Sequence, residues 1–258
     1  MNAPEVRLEV QGDPAGPVLV YLPGVHGDAT LLGSFRARLG DDVRLLAVSY
    51  PTGHSWNLAD HAAAIWEAVT KATPGPVWLL AESFGSQVAW AMLSAAVPRP
   101  VNGVILAGGF VRHPWLWAVT LTRRLLGGLP PAAVGPLFHV YPLWARIAYR
   151  HAPEVVAAVP DFVQRRRQPA DHAALIHRLR LIELADFQAT VRTLDLPVWQ
   201  LTGRWDPVVP WWAVRGWLRE KCPGYRGTDV RRRADHVVLA TDAEGSVAAV
   251  RRWMGFSR

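Results

Sequence analysis

The sequence predicts an α/β fold with a mostly parallel central sheet flanked by helices, and three observations carry that expectation. Short apolar runs alternate with segments of helical length and composition, the order that βαβ units leave in a chain. That alternation is broken once, by a long stretch of different composition between about 110 and 190. The 258 residues, 50% hydrophobic and 19% charged, suit one globular domain with a substantial buried core.

Taken in order, Val18 to Leu22 is a buried strand and Val43 to Ser49 another, and Pro76 to Ala81, Val101 to Ala107 and Pro197 to Thr202 continue the series. Between them, the Ala-rich segments Asn57 to Thr73 and Phe84 to Val97 have the length of helices, each closed by a nearby proline. A last helix starts near Thr241 and Asp242 and turns Val247, Val250 and Trp253 inward. From Phe110 to Thr190 the chain is rich in Arg, Pro, Trp and His, with amphipathic helical pieces and no clear strand. It is too long for an ordinary connection and reads as an inserted helical cap. The expected division is a core of residues 1–110 and 190–258 with a cap over 111–189.

The strand ending at Ala81 runs into Glu82-Ser83-Phe84-Gly85 and then directly into a helix. A serine on so sharp a strand-to-helix turn lifts its hydroxyl above the sheet, and the next residue's N–H points to the same spot. Small residues are needed two before and two after it, which Ala81 and Gly85 satisfy. A serine ahead of a helix is also a common N-cap, so the chemistry depends on partners. Downstream, the strand ending at Thr202 leads into Gly203-Arg204-Trp205-Asp206-Pro207-Val208-Val209-Pro210, and Ala234-Asp235-His236 precedes the last helix. A serine hydroxyl needs a base, normally His, oriented by a carboxylate.

Ala81-Glu82-Ser83-Phe84-Gly85 resembles the G-x-S-x-G elbow of the α/β-hydrolase superfamily, with Ala in the first place. The segment from Gly203 to Pro210 resembles its acid loop, and Ala234-Asp235-His236 its histidine loop. The resemblance implies the α/β-hydrolase fold with a helical cap inserted after the sixth strand, and it implies Ser83 as nucleophile, Asp206 as orienting acid and His236 as general base. Asp235 stands as an alternative acid, although adjacent side chains rarely meet in the required orientation. After the strand ending at Leu22, Pro23-Gly24-Val25 is similar to the family's H-G-x turn. Backbone N–H groups of Val25 and Phe84 are then implied as the oxyanion hole. With Pro23 in the histidine's place, a register shifted by one residue stays open.

The implied function is serine hydrolysis of carboxylic esters through an acyl-enzyme, with no cofactor and no metal. The apolar residues Trp115, Leu116, Trp117, Leu125, Leu126, Leu137, Phe138, Tyr141, Leu143, Trp144 and Ile147 suggest a roof over a pocket for an apolar acyl or aryl portion. The same triad serves thioesterases, C–C bond hydrolases, perhydrolases and acyltransferases, and a non-catalytic binding protein of the same fold is a further alternative.

The formal net charge of +7 invites a nucleic-acid reading, but lysine occurs only at 71 and 221 and the arginines are scattered rather than gathered in a tail. Ten arginines against five acids from 110 to 190 supply most of the excess. No nucleic-acid partner is therefore expected. Arg165, Arg166 and Arg167 read as a solvated helix face, and Glu82 as a solvated or hydrogen-bonded elbow residue. His54, His61, His172 and His177 lack metal-ligand spacing. The single Cys222 excludes an internal disulfide and reads as a bystander. The N-terminus has no basic region followed by an apolar run, and no stretch suits one membrane-crossing helix, so a cytoplasmic protein acting on a small molecule is expected. Its oligomeric state is open.

Overall fold

Seven strands form one sheet in the order β1-β3-β2-β4-β5-β6-β7. The computed structural model describes residues 5–52, 56–95, 100–128, 142–143, 145–146, 149–150, 152–165 and 168–256. The strands are β1 Arg7–Gln11, β2 Val18–Leu22, β3 Arg44–Ser49, β4 Val77–Glu82, β5 Val101–Ala107, β6 Val198–Gly203 and β7 Tyr225–Arg231. Only β1, paired to β3, runs antiparallel, and every other pairing is parallel.

Parallel strands need crossovers that cover both faces of the sheet. On one face, Val18, Val20 and Leu22 pack with α2 (Leu58–Ala72) and α3 (Gly85–Leu93). On the other, Leu19 and Tyr21 pack with α1 (Gly33–Leu39) and α10 (Ala243–Trp253). Both faces being covered explains why β2 is apolar at every position. Helix α2 begins at a capping box, Asn57 Oδ1 accepting from the Asp60 N–H and Asp60 Oδ2 accepting from the Asn57 N–H, both at 2.9 Å. The helix expected from Phe84 spans Gly85–Leu93, and residues 96–99, including the expected end at Val97, lie outside the described residues. In α10, Val247, Val250 and Trp253 are buried, Trp253 stacking on Trp199 at 5.1 Å.

The insertion leaves the sheet after β5. That is the fifth strand in chain order, so the expected count of six strands before it is one too many for this sheet. It carries α4 (Leu116–Gly128), α5 (Pro153–Gln164), α6 (Pro169–Leu184) and α7 (Gln188–Arg192), with no strand among the described residues. Helix α5 places Val155, Val159, Phe162 and Val163 in a small core of its own with Ala240 of α9 (Val238–Thr241). Helix α4 is clasped to α6 by Arg123, whose Nε donates to both Glu183 oxygens at 2.9 Å. Helix α8 (Trp211–Lys221) crosses from β6 to β7. No helix among the described residues is long and apolar enough to cross a membrane.

The apolar residues expected to roof a pocket divide into two groups. Leu116 and Trp117 line a pocket of about 540 Å³ together with Val111, His113, Val214 and Trp217, while Trp115, Leu125 and Leu143 are exposed. Helix α4 buries only Val119 and packs on α6 by that side, which turns Trp117, Leu121 and Leu125 outward at i, i+4 and i+8. Leu137, Phe138, Tyr141, Trp144 and Ile147, as well as His54, Arg166 and Arg167, lie outside the described residues. Arg165 is exposed and paired with Asp161.

Candidate active site

The carboxyl ends of β2, β4, β5 and β6 bring their following loops to one edge of the sheet. The strand order reverses there, β3 lying on one side of β2 and β4 on the other, and such a switch point leaves a crevice for ligands. Ser83 sits at that edge, directly after β4. Its φ of 50° is the one positive value outside glycine among the described residues, a strained conformation that must be held from outside. The Ser83 N–H donates to Ala107 O at 3.0 Å, Ser86 Oγ donates to Ser83 O at 2.6 Å, and Phe110 N–H donates to Ser86 Oγ at 3.1 Å. Ala81 is fully buried between neighbouring strands, so its methyl is accommodated. At Gly85 no side chain fits, because a Cβ there would lie 2.1 Å from Leu22 O.

Ser83 Oγ lies 2.9 Å from His236 Nε2, and His236 Nδ1 lies 2.8 Å from Asp206 Oδ2. The other Asp206 oxygen accepts from the N–H groups of Val208 and Val209 at 2.8 and 2.9 Å, so a buried carboxylate has all its partners in place. Asp235 does not reach the imidazole in this way. Its Oδ1 accepts from the Val237 N–H at 3.1 Å and from Thr241 Oγ1, which shapes the turn into α9. Burial draws the His236 pKa down, but the Asp206 charge and hydrogen bond, helped by Glu82 and Asp235, outweigh it and leave it raised. A hydroxyl bonded to an imidazole whose far nitrogen is held by a carboxylate can lose its proton as it attacks an electrophile.

Val25 lines the same pocket as Ser83, and Phe84 follows Ser83 in the chain. The turn after β2 lies against Ser83, a Cβ on Gly24 falling 3.4 Å from Ser83 Cβ. Four carbonyls fix this turn. Tyr50 Oη donates to Pro23 O at 3.1 Å, Gly27 N–H to Gly24 O at 3.0 Å, Tyr50 N–H to Gly27 O at 2.7 Å, and Arg178 Nη1 to Val25 O at 2.8 Å. Among the described residues, neither the Val25 nor the Phe84 N–H is taken up by another group.

Four contributors were not legible as site residues: Tyr21, Tyr50, His113 and Arg178. Tyr21 Oη donates to Glu82 Oε2, so Glu82 is a hydrogen-bonded elbow residue, its pKa raised chiefly by burial. Tyr50 packs edge-on to His61 and Phe84. His113 stands behind the acid loop, its Nδ1 accepting from the Trp115 N–H at 3.1 Å. Burial pulls both His61 and His113 down to about 4. Arg178, on α6, is 4% exposed. It occupies the space that Gly27 leaves at φ 84°, where a Cβ would fall 2.5 Å from its Nη1. Their signal is spatial, since each is far from Ser83 in the chain. Cys222 is buried and its thiol is pushed up by that burial.

A pocket of about 80 Å³ opens on Ser83 and His236, lined by Tyr21, Val25, Leu31, Glu82 and Phe162 among others.

Residues 19–250 match the family model described as the alpha/beta hydrolase family. The chain is 30% identical over 211 residues to a pimeloyl-[acyl-carrier protein] methyl ester esterase of Methylococcus capsulatus, covering 79% of this chain and 81% of that protein. Among solved structures it is similar to an esterase from Exiguobacterium antarcticum, with TM-score 0.78, 17% identity and coverage of 97% and 96% of the two chains. It is also similar to a thermophilic esterase from Thermogutta terrifontis, with TM-score 0.73, 20% identity and coverage of 96% and 92%.

Proposed function

The chain belongs to the alpha/beta hydrolase family, and from that premise we propose that it hydrolyses carboxylic esters through an acyl-enzyme on Ser83. The observation that carries this reading is the continuous line from Ser83 Oγ through His236 to Asp206, at 2.9 and 2.8 Å.

In the proposed cycle His236 takes the Ser83 proton as Oγ attacks the acyl carbon, and Asp206 holds the imidazole in the required tautomer and stabilises its charged form. The carbonyl oxygen becomes an oxyanion facing the N–H groups of Val25 and Phe84, each such donor contributing about 3 kcal/mol in comparable sites. The tetrahedral intermediate collapses, His236 protonates the departing alkoxide, and an alcohol leaves. Water then gives its proton to His236 while attacking the acyl carbon, and collapse releases the acid and restores the Ser83 hydroxyl. No cofactor enters these steps.

A cavity of about 150 Å³ takes a benzene ring, so the pocket of about 80 Å³ beside Ser83 supports a smaller group on one side of the scissile bond. The methyl ester named for the Methylococcus capsulatus relative would suit it. The insertion, residues 111–189 over a core of 1–110 and 190–258, serves as the cap of this site. Phe162 in the pocket wall and Arg178 on the Val25 carbonyl support that role.

The test is labelling with a fluorophosphonate, followed by turnover of p-nitrophenyl esters of increasing acyl length. Wild type is expected to label and turn over, and Ser83→Ala to do neither. Equal labelling of Ser83→Ala sinks the proposal.

A further inference from the structure

Most of the exposed large hydrophobic side chains belong to two stretches of the chain. Apart from Val10 on β1, those among the described residues belong to the insertion or to the stretch from Trp205 to Trp212. Singly, exposed apolar groups are ordinary, but a cluster marks an interaction surface. The two stretches meet in space at Trp115 and Trp212. Trp115 meets Trp212 edge-on at 6.2 Å, Trp212 meets Trp211 at 5.9 Å, and Arg204 lies over the Trp205 ring. From Trp115 the surface continues into α4 through Trp117, 68% exposed, and along Leu121 and Leu125.

The charge of the surface is basic. On α4, Arg124 is exposed beside the Trp117, Leu121 and Leu125 row, and on α8, Trp212, Arg215 and Arg219 are exposed at i, i+3 and i+7. Arg204 is exposed between them in sequence. The nearby acids are already engaged, Asp186 by Arg112, Glu183 by Arg123 and Glu220 by Lys221.

We propose that this face, built from α4, the loop after β6 and the start of α8, docks on the surface of an anionic lipid bilayer. Tryptophan rings settle at the level of the headgroups, and leucines on the same helix face reach the acyl boundary. Each arginine near a negatively charged leaflet adds attraction that salt screens. A fluid surface also accepts side chains projecting from three separate elements without a matching contour. The docking does not depend on the ester chemistry at Ser83, and binding can be measured with no substrate present.

The experiment is co-sedimentation of the full chain with vesicles of phosphatidylcholine alone and of phosphatidylcholine mixed with phosphatidylglycerol. Binding is expected to the mixed vesicles, to fall with added salt, and to be far weaker to phosphatidylcholine alone. The variant Trp117→Ser/Leu121→Ser/Leu125→Ser should lose at least about tenfold in partitioning. Arg124→Glu should lose about fivefold or more. The four positions are exposed, so an unchanged unfolding midpoint serves as the folding control. No binding to the mixed vesicles overturns the proposal, as does equal binding by the triple variant. A wild type that is dimeric by light scattering, with a triple variant that is monomeric, also overturns it, because the face is then covered by a second copy of the chain.

Discussion

Arg178→Met is the substitution by which the proposed oxyanion hole can be tested without touching the reacting groups. The guanidinium donates to Val25 O at 2.8 Å and to Pro51 O at 3.3 Å. Methionine keeps much of the stem's bulk and removes both bonds. A hydrogen bond from a charged donor is worth about 1.5–3 kcal/mol, and leaving a buried carbonyl unsatisfied costs about 1–3 kcal/mol. A stability loss of about 3 kcal/mol is therefore expected, read as a lower urea midpoint. For catalysis, complete withdrawal of one oxyanion donor costs roughly 10²–10³ in kcat. The turn is still tied by Tyr50 Oη on Pro23 O and by the Tyr50 N–H on Gly27 O, so displacement is partial. A fall of about 10- to 100-fold in kcat, with KM little changed, is expected on p-nitrophenyl acetate. Arg178→Lys should recover part of it, one ammonium reaching Val25 O but not spanning both carbonyls. Ser83→Ala sets the zero of the assay. If Ser83→Ala is inactive while folded Arg178→Met retains full kcat, the link from Arg178 to the Val25 N–H is refuted and the esterase reading survives.

Asp206→Asn should lower kcat by about 10³–10⁴, because an amide at that position favours the wrong imidazole tautomer, and a variant within tenfold of wild type would exclude Asp206 as the orienting acid. Wild-type kcat/KM should rise with pH along an acid limb above the usual histidine value of about 6.5, since His236 must be neutral to accept the proton and its pKa is raised. Asp206→Asn leaves the burial that lowers that pKa and removes the charge that raises it, so its limb should move to lower pH. A stability effect of the same pH sense comes from the burial of His61, whose pKa is about 4 in the folded state against about 6.5 unfolded. Protons bind the unfolded chain first as pH falls from 6.5 toward 4, so up to about 3 kcal/mol drains away in that window. His61→Phe should then show a smaller fall in urea midpoint between neutral pH and pH near 4, and an equal fall would dismiss the assignment. Gly85→Ala, with its Cβ 2.1 Å from Leu22 O, must push α3 from β2 and should express poorly or lose activity; a stable, active variant contradicts the packing at the elbow.

The legible parts of the fold were those whose physics is local. Strand β2 is apolar throughout, and β4 from Val77 to Ala81 and β5 from Val104 to Ala107 are apolar too, because both faces are covered, and α2 announces itself by Asn57 and Asp60. Strands β1 and β7 escaped notice for the converse reason. They lie at the two edges of the sheet and carry exposed or half-buried polar residues such as Arg7, Glu9, Arg226, Thr228 and Asp229, which leave no apolar run to read. In the site, Ser83, Asp206 and His236 stood out because each sits in a short motif at a strand end. Arg178 could not, because what gives it meaning is a void at Gly27, 151 positions away in the chain. The outward turn of Trp117 and Leu125 was hidden as well. Composition records that α4 is apolar, but only the packing of Val119 and Arg123 toward α6 decides which side faces out.

Three carboxyl groups, those of Asp206, Asp235 and Glu82, act on the His236 charge, and proximity in sequence would favour Asp235. What supports Asp206 as the proposed orienting acid is how each oxygen is already employed. Asp235 Oδ1 is committed to the Val237 N–H and to Thr241 Oγ1, and Glu82 Oε2 accepts from Tyr21 Oη. Burial raises the pKa of both, so each holds its proton more readily than an ordinary acid. Asp206 alone of the three offers one oxygen to two backbone N–H groups and the other to Nδ1. That division fixes the carboxylate plane against the imidazole and spares it any rotation when the charge forms, which is the preorganisation that makes a carboxylate useful in a low-dielectric site. Glu82 and Asp235 can reinforce the imidazolium from a distance, but neither is oriented to choose its tautomer. Substituting them should therefore shift the pH limb more than it lowers kcat, whereas at Asp206 both change together.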